Sequence, residues 1–305
     1  MWKCISRSFV GILAVVTALV SSYAYCDDEL VLRYPKSLDS YYKERDRYFI
    51  DVLKLAMDHS GRPYRIDLVP ISAFNESRSA LYLGNGHFTV HWLMTDKVLE
   101  EKLRPIRIPL YKGAIGWRVL FISPENISLF AQVNSLSQLQ SFVTAQGHDW
   151  PDLGVLRANG LKTYASPSWN GMFNMLIAGR IQYFPRSIIE VEGEYESQQS
   201  LHLAIDKHLV LHYPAAYYFF TRNDNVDLAN AIETGLNKSI EDGDFDKLFE
   251  RYFGSQIRAL HLEDRTIIEL SNPFLSAQTP LDNARYWLHP KRYLNESQKG
   301  SATQD

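Results

Sequence analysis

Residues 179–187 read Gly-Arg-Ile-Gln-Tyr-Phe-Pro-Arg-Ser. Before them Trp169, Met172, Phe173, Leu176 and Ile177 recur at helical spacing, with Ser168 at the N-cap and Gly179 at the C-cap. Residues 181–184 then predict a short apolar strand, at whose end Arg186 stands ready to pair with a carboxylate. The same grammar runs just upstream. Residues 143–146 predict a strand, residues 151–158 a helix opened by proline and closed by Gly160, and residues 161–165 another strand. Strands alternating with helices build a mainly parallel sheet flanked by helices.

The first third of the chain repeats this pattern. A strand at residues 30–33 ends at Tyr34-Pro35, and Phe49, Val52, Leu53 and Ala56 then mark a helix stopped by Gly61 and Pro63. A strand at 65–69, a helix through 78–83 closed by Gly84, and a strand at 87–92 follow. Two such units imply two lobes. Residues 109–113 and the apolar strand 117–122 are placed as one crossing between them, and 209–213 as the return. The return leads into a helix with Leu228, Ile232, Leu236 and Ile240 on one face, broken at residues 242–244 and followed by a last helix ending near Phe253-Gly254. The expectation is an α/β protein: lobe one from 28–113 and 214–265, lobe two from 114–213, and a partly mobile C-terminal extension over 266–305.

Residues 1–24 carry Lys3 and Arg7, an apolar run of about 12 residues and small residues at its end, which reads as a cleaved secretory signal because a span needs about 20. Export to the periplasm follows from that reading. Losing the signal also removes Cys4, leaving Cys26 alone and no internal disulfide. The formal charge moves from −3 to −5, and no basic run interleaved with aromatics occurs, so nucleic acid is not an expected partner.

In order and spacing, several short pieces resemble the type II periplasmic solute-binding proteins of the polar amino-acid ABC-transporter class, solute-binding protein family 3. They are Leu-Ala at 228–229, Ile-Glu at 232–233, Gly-Leu at 235–236, Glu-Asp-Gly-Asp-Phe at 241–245 and Tyr-Phe-Gly at 252–254. Residues 176–182 resemble the family's Leu-x-x-Gly-Arg-Ile-Asp, and 92–95 followed by Pro-Leu-Tyr at 109–111 resembles the end of its first binding strand. The resemblance covers about 28–256. It implies a two-lobe clamp, monomeric, closing on a small-molecule solute and delivering it to separate membrane transporter subunits, without cofactor or metal. Two departures argue against an ordinary α-amino acid. The family's carboxylate-holding arginine soon after Thr95 is replaced by Asp96-Lys97-Val98, and its ammonium-reading aspartate falls on or beside Arg186 and Ser187.

Five residues are the ligand-binding candidates. Arg186 could hold an anionic group, or pair with Glu190 or Glu192 instead. Tyr34 and Trp92, ending two strands of lobe one, could stack on the solute or pack in the core. Thr95 offers a hydroxyl donor. Trp150, just before a helix start, could cover a ring, with Asp149 placed to cap that helix. Because His87 and His91 lie about 13 Å apart on one strand face, they cannot share an ion. Two other functions stay open: a module reporting to a sensor, and a dehydratase-like enzyme using His148 and Asp149 as acid and base.

Overall fold

The computed structural model describes residues 29–38, 43–71 and 76–288; the signal segment, Cys26 and the last 17 residues lie outside them. In chain order the elements begin with β1 (Leu30–Ser37), α1 (Lys43–Ser60), β2 (Tyr64–Ile71), α2 (Glu76–Gly84), β3 (His91–Met94), α3 (Lys97–Lys102) and β4 (Arg104–Ile106). There follow β5 (Trp117–Ile122), α4 (Ile127–Phe130), α5 (Leu136–Leu139), β6 (Val143–Gly147), α6 (Pro151–Ala158), β7 (Lys162–Ser166), α7 (Trp169–Ile177), β8 (Tyr183–Ser187), α8 (Val191–Ser197) and β9 (Ala204–Ile205). The chain closes with β10 (Leu209–His212), β11 (Tyr217–Thr221), α9 (Val226–Glu241), α10 (Asp244–Ala259) and β12 (Thr266–Glu269).

The pairing of strands explains the two lobes. β1 with β2, β6 with β7 and β10 with β12 run parallel, as crossover helices require. Among the described residues, every antiparallel pair includes β5 or β11, the strands just beyond the two crossings. β11 enters between β3 and β4, while β5 takes β8, β9 and β10 as neighbours. At the crossing itself Tyr213 N donates to Gly116 O at 3.2 Å. A Cβ on Gly116 would lie 2.0 Å from the Tyr213 carbonyl oxygen, so only glycine lets the two segments pass.

Several boundaries differ from the sequence reading. β1 does not stop before Pro35: Pro35 pairs with Val69 at the sheet edge, where a missing N–H is tolerated. Residues 87–90 form no strand, although Thr89 N donates to Arg33 O; β3 starts only at His91. β8 continues through Pro185 to Ser187, so Arg186 lies inside a strand opposite Val119 rather than beyond its end. α10 runs five residues past Gly254. The stretch after 265 is not a loose tail over its described part, because β12 joins β10 and Leu288 is buried.

α1 and α9 carry the first lobe's helical layer. They touch so closely that a Cβ on Gly235 would stand 1.6 Å from Ala56 O. No rotamer relieves a clash with backbone. Gly235→Ala should therefore destabilise the protein by about 3 kcal/mol, the upper range for overpacking, read from the urea midpoint; a loss under about 0.5 kcal/mol, the scale of neutral surface changes, would contradict this packing.

Candidate functional site

A cavity of about 510 Å³ lies between the lobes. The first lobe contributes the end of β3 and the start of α3, with Leu93, Met94, Thr95 and Val98; the second contributes the β6–α6 turn, with His148, Asp149, Trp150 and Leu153. Asn272 and Phe274 of the C-terminal segment complete the lining. Val98 and Phe274 remain 49% and 38% exposed, apolar surface that the protein's own packing leaves uncovered.

Of the five candidates, Thr95 and Trp150 line this cavity; Tyr34, Trp92 and Arg186 do not. The Thr95 hydroxyl donates to Glu100 at 2.6 Å, and Glu100 in turn takes Arg107. Its proton is committed, so toward a solute Thr95 presents an acceptor rather than the expected donor. Asp96 caps α3 by accepting from Leu99 N. The N-cap of α6 is Trp150, whose side chain makes no cap bond, and Asp149 stands one residue before it.

Arg186 acts from below. Its guanidinium gives two bonds to Glu194, both at 2.6 Å, and one to Glu190 at 3.0 Å, while its Cζ lies 4.7 Å from the centre of the Trp150 ring. The expected surface pair is thus a buried one, made with Glu190 and Glu194 rather than Glu192. Burial alone would raise the Glu190 carboxyl; Arg186, with Arg118 and Arg45, more than offsets it and holds the group below the usual carboxylate range. The Trp150 ring also packs against Gly147, where a Cβ would come within 2.5 Å. Trp150 is therefore fixed by contact with a bare backbone and with a paired cation.

The helix that follows is anchored by Asp152, which accepts from Arg118 Nη2 at 2.7 Å and from the Tyr213 hydroxyl. Arg118 and Tyr213 belong to the two crossing segments, so the second lobe's wall is tied to the hinge. Neither residue was singled out in the sequence. An arginine inside the apolar run 117–122 was the available signal, since a buried charge requires a partner.

Tyr34 and Trp92 sit in an aromatic cluster beneath the hinge. Trp92 stacks on Phe49 at 4.5 Å and meets Tyr217 edge-on, and Arg45 lies over its ring. Tyr111, from the first crossing, and Tyr217, which opens β11 just after the return, join the same cluster. Tyr34 is fully buried and Trp92 is 3% exposed. His91 is buried among Tyr34, Phe88 and Trp92; burial, then Arg45, pushes its imidazole down to about 3, which keeps it neutral. His59, Asp242 and Asp244 form a separate cluster outside the cleft, and Lys247 also pairs with Asp244.

Parallel strands with helices outside, interrupted by two crossings that each install one antiparallel strand, define the two-lobe type II periplasmic-binding-protein fold. No protein-family model matches the chain, and no curated protein matches it by sequence. Solved structures do match. An ancestral arginine-binding protein bound to arginine aligns at TM-score 0.53 and 16% identity, over 73% of this chain and 98% of its own. The Streptococcus mutans structure on glutathione import through GshT and the cystine importer TcyBC aligns at 0.55 and 15%, over 74% and 95%. The VFT2 domain of Bordetella pertussis BvgS aligns at 0.56 and 15%, over 73% and 93%. Among the described residues no helix is long and apolar enough to cross a membrane.

Breaking a buried pair strands a charge. Glu194→Ala should cost about 3–5 kcal/mol of stability in urea unfolding, whereas an exposed pair would cost under about 1 kcal/mol; the smaller value would contradict the buried arrangement.

Asp46 accepts from Ser37 N, and burial pushes its carboxyl up to about 6 against the opposing pull of that bond, Arg45 and Lys36. Because the folded value exceeds the unfolded one of about 4, the stability gained by protonation is present below about pH 4 and lost as the pH rises through about 6. Asp46→Asn keeps an acceptor for Ser37. Its melting midpoint should exceed wild type at about pH 7.5 and approach it near pH 4; a gap independent of pH would contradict the assignment.

Proposed function

We propose that the protein is a periplasmic solute-binding protein whose lobes close on a small solute bearing an aromatic or apolar body and a polar group, and that it hands this solute to the membrane subunits of an ABC-type importer. The observation that carries the reading is the cavity between the lobes, lined from both sides by Thr95, Val98, Trp150 and Leu153. A solute there would touch both walls at once, which is what couples binding to closure. Lobe one is proposed as 28–113 with 214–265, and lobe two as 114–213, to which β12 adds an edge strand.

Trp150 is proposed as the main contact surface, Thr95 as an acceptor and His148 as a polar partner at the rim. Arg186 is proposed to support the site by fixing Trp150, and Tyr34 with Trp92 to form the floor under the hinge. His148 Nδ1 and Asp149 Oδ1 are 3.9 Å apart on the rim, His148 being 57% exposed. A wet, loosely spaced pair suits binding better than general acid–base work. A ligand-sensing module is the second reading, supported by a likeness, at TM-score 0.53 and 13% identity over 74% of this chain and 96% of the other, to a histidine kinase sensor domain with similarity to periplasmic binding proteins.

A thermal-shift screen of the protein against amino acids, dicarboxylates, aromatic acids and short peptides at millimolar concentration tests the reading. A binding solute raises the midpoint by mass action. Trp150→Ala should weaken that solute by about tenfold or more. No shift with any solute class, or a shift unaltered in Trp150→Ala, would count against it.

A further inference from the structure

The C-terminal segment departs from β12 on the second lobe and finishes on the first, crossing the cleft on the way. It begins in a grip: Asn159 donates to Ser271 O at 2.7 Å and accepts from Ser271 N at 2.9 Å, the reciprocal bonding of a strand neighbour supplied by one side chain. Asn272 donates to Pro214 O in the return crossing. The Phe274 ring then lies over Gly154 of α6, where a Cβ would come within 3.1 Å, while its carbonyl oxygen accepts from Lys97 N, the first amide of α3. One residue therefore touches both walls of the cleft.

The far end is anchored as firmly. Tyr286 donates to Asn237 of α9, and Leu288 N donates to Lys112 O. The Trp287 ring rests on Gly113 so closely that a Cβ there would stand 2.3 Å away, and its indole N–H donates to Pro280 O. Gly113, with φ +71°, follows Lys112 in the first crossing. The segment thus forms a third link between the lobes beside the two crossing strands. A clamp hinged on two strands opens by bending them. With the third link in place, opening must also break Lys97–Phe274 or the Phe274–Gly154 contact.

We propose that residues 271–288 are a latch and third wall of the cleft: Phe274 selects solutes with an aromatic or branched aliphatic body, and its release from Lys97 and Gly154 admits them. The ligand class rests on the solute-binding reading above; the latch does not. Chemistry agrees with the class. Phe274 faces Leu93, Met94, Val98, Leu153 and Trp150 across one cavity, and apolar walls reward apolar bodies in proportion to the area covered.

The latch is read without a ligand. Nitroxide labels on Glu101→Cys in α3 and Glu196→Cys in α8, with Cys4 and Cys26 replaced by serine, report the distance between lobes in pulsed electron spin resonance. The expected result is one narrow distance in the parent, and a second, longer population in both Phe274→Ala and Trp287→Ala with unchanged far-ultraviolet circular dichroism. Distributions identical to the parent in both variants would overturn the latch, whatever the solute screen shows. Selection is read separately, with indole-3-acetate and valerate as probes in calorimetry. Phe274→Ala should weaken indole-3-acetate by about tenfold while changing valerate by less than about threefold. Equal weakening of both would overturn selection by Phe274. Failure of indole-3-acetate to bind the parent would overturn the stated ligand class and leave the latch result standing; failure of valerate, whose unbranched chain lies outside that class, would agree with it.

Discussion

Asp152 holds the second lobe's face of the cleft on a buried charge. Its carboxylate takes Arg118, which is 1% exposed, and Tyr213, which is fully buried. These two partners stand on opposite crossing segments, and the helix that Asp152 opens carries Trp150 and Leu153 into the cavity. Charges withdrawn from water are tolerated only when paired, so none of the three can leave without stranding the others. The wall and the hinge must move as one body. Gly116 helps make that possible, because a side chain there would block the close approach of the two crossing segments, which the bond from Tyr213 N to Gly116 O continues from the β5–β10 pairing.

A second buried pair completes the wall. Arg186 is neutralised by Glu190 and Glu194, and with its charge satisfied it serves as a platform for the Trp150 ring. Trp169 donates to the same Glu194 from α7, so α7 and β8 converge on one carboxylate of α8. The first lobe uses different means. Its side of the cavity is made by Thr95 and the start of α3, and the aromatic cluster behind it ties α1 to the first crossing through Tyr111 and to β11, just after the return, through Tyr217.

Much of the fold was legible because helices and strands announce themselves through period and punctuation. Ser168 caps α7 as expected, while its C-cap is Ala178 with Gly179 one residue beyond; Pro151 opens α6, and the break at Asp242-Gly243-Asp244 separates α9 from α10. Arg186 was misplaced because proline reads as a strand end, yet β8 carries Pro185 in the middle of an antiparallel pair with β5. Strand contents were thus less visible than strand existence. The site was half legible. Trp150 and Thr95 reach the cavity, since both belong to turns at the carboxyl ends of strands, β6 and β3, where clefts form. Tyr34 and Trp92 do not: Phe49 and Tyr217, distant in sequence, pack on the Trp92 ring, and His91 meets that of the fully buried Tyr34. The C-terminal wall was hidden by composition: polar residues around Phe274 and Trp287 suggest a tail, and only tertiary contact gives those two rings a place.

The central claim is that the cleft between α3 and α6 is where the two lobes meet a solute. Hydrogen–deuterium exchange tests it most directly, with the solute that raises the melting midpoint added or withheld. The account predicts that amides at 95–99 and 150–155 gain protection together, with the aromatic cluster around Phe49 and Trp92 unchanged. Protection confined to one lobe, or centred on that cluster, would contradict it.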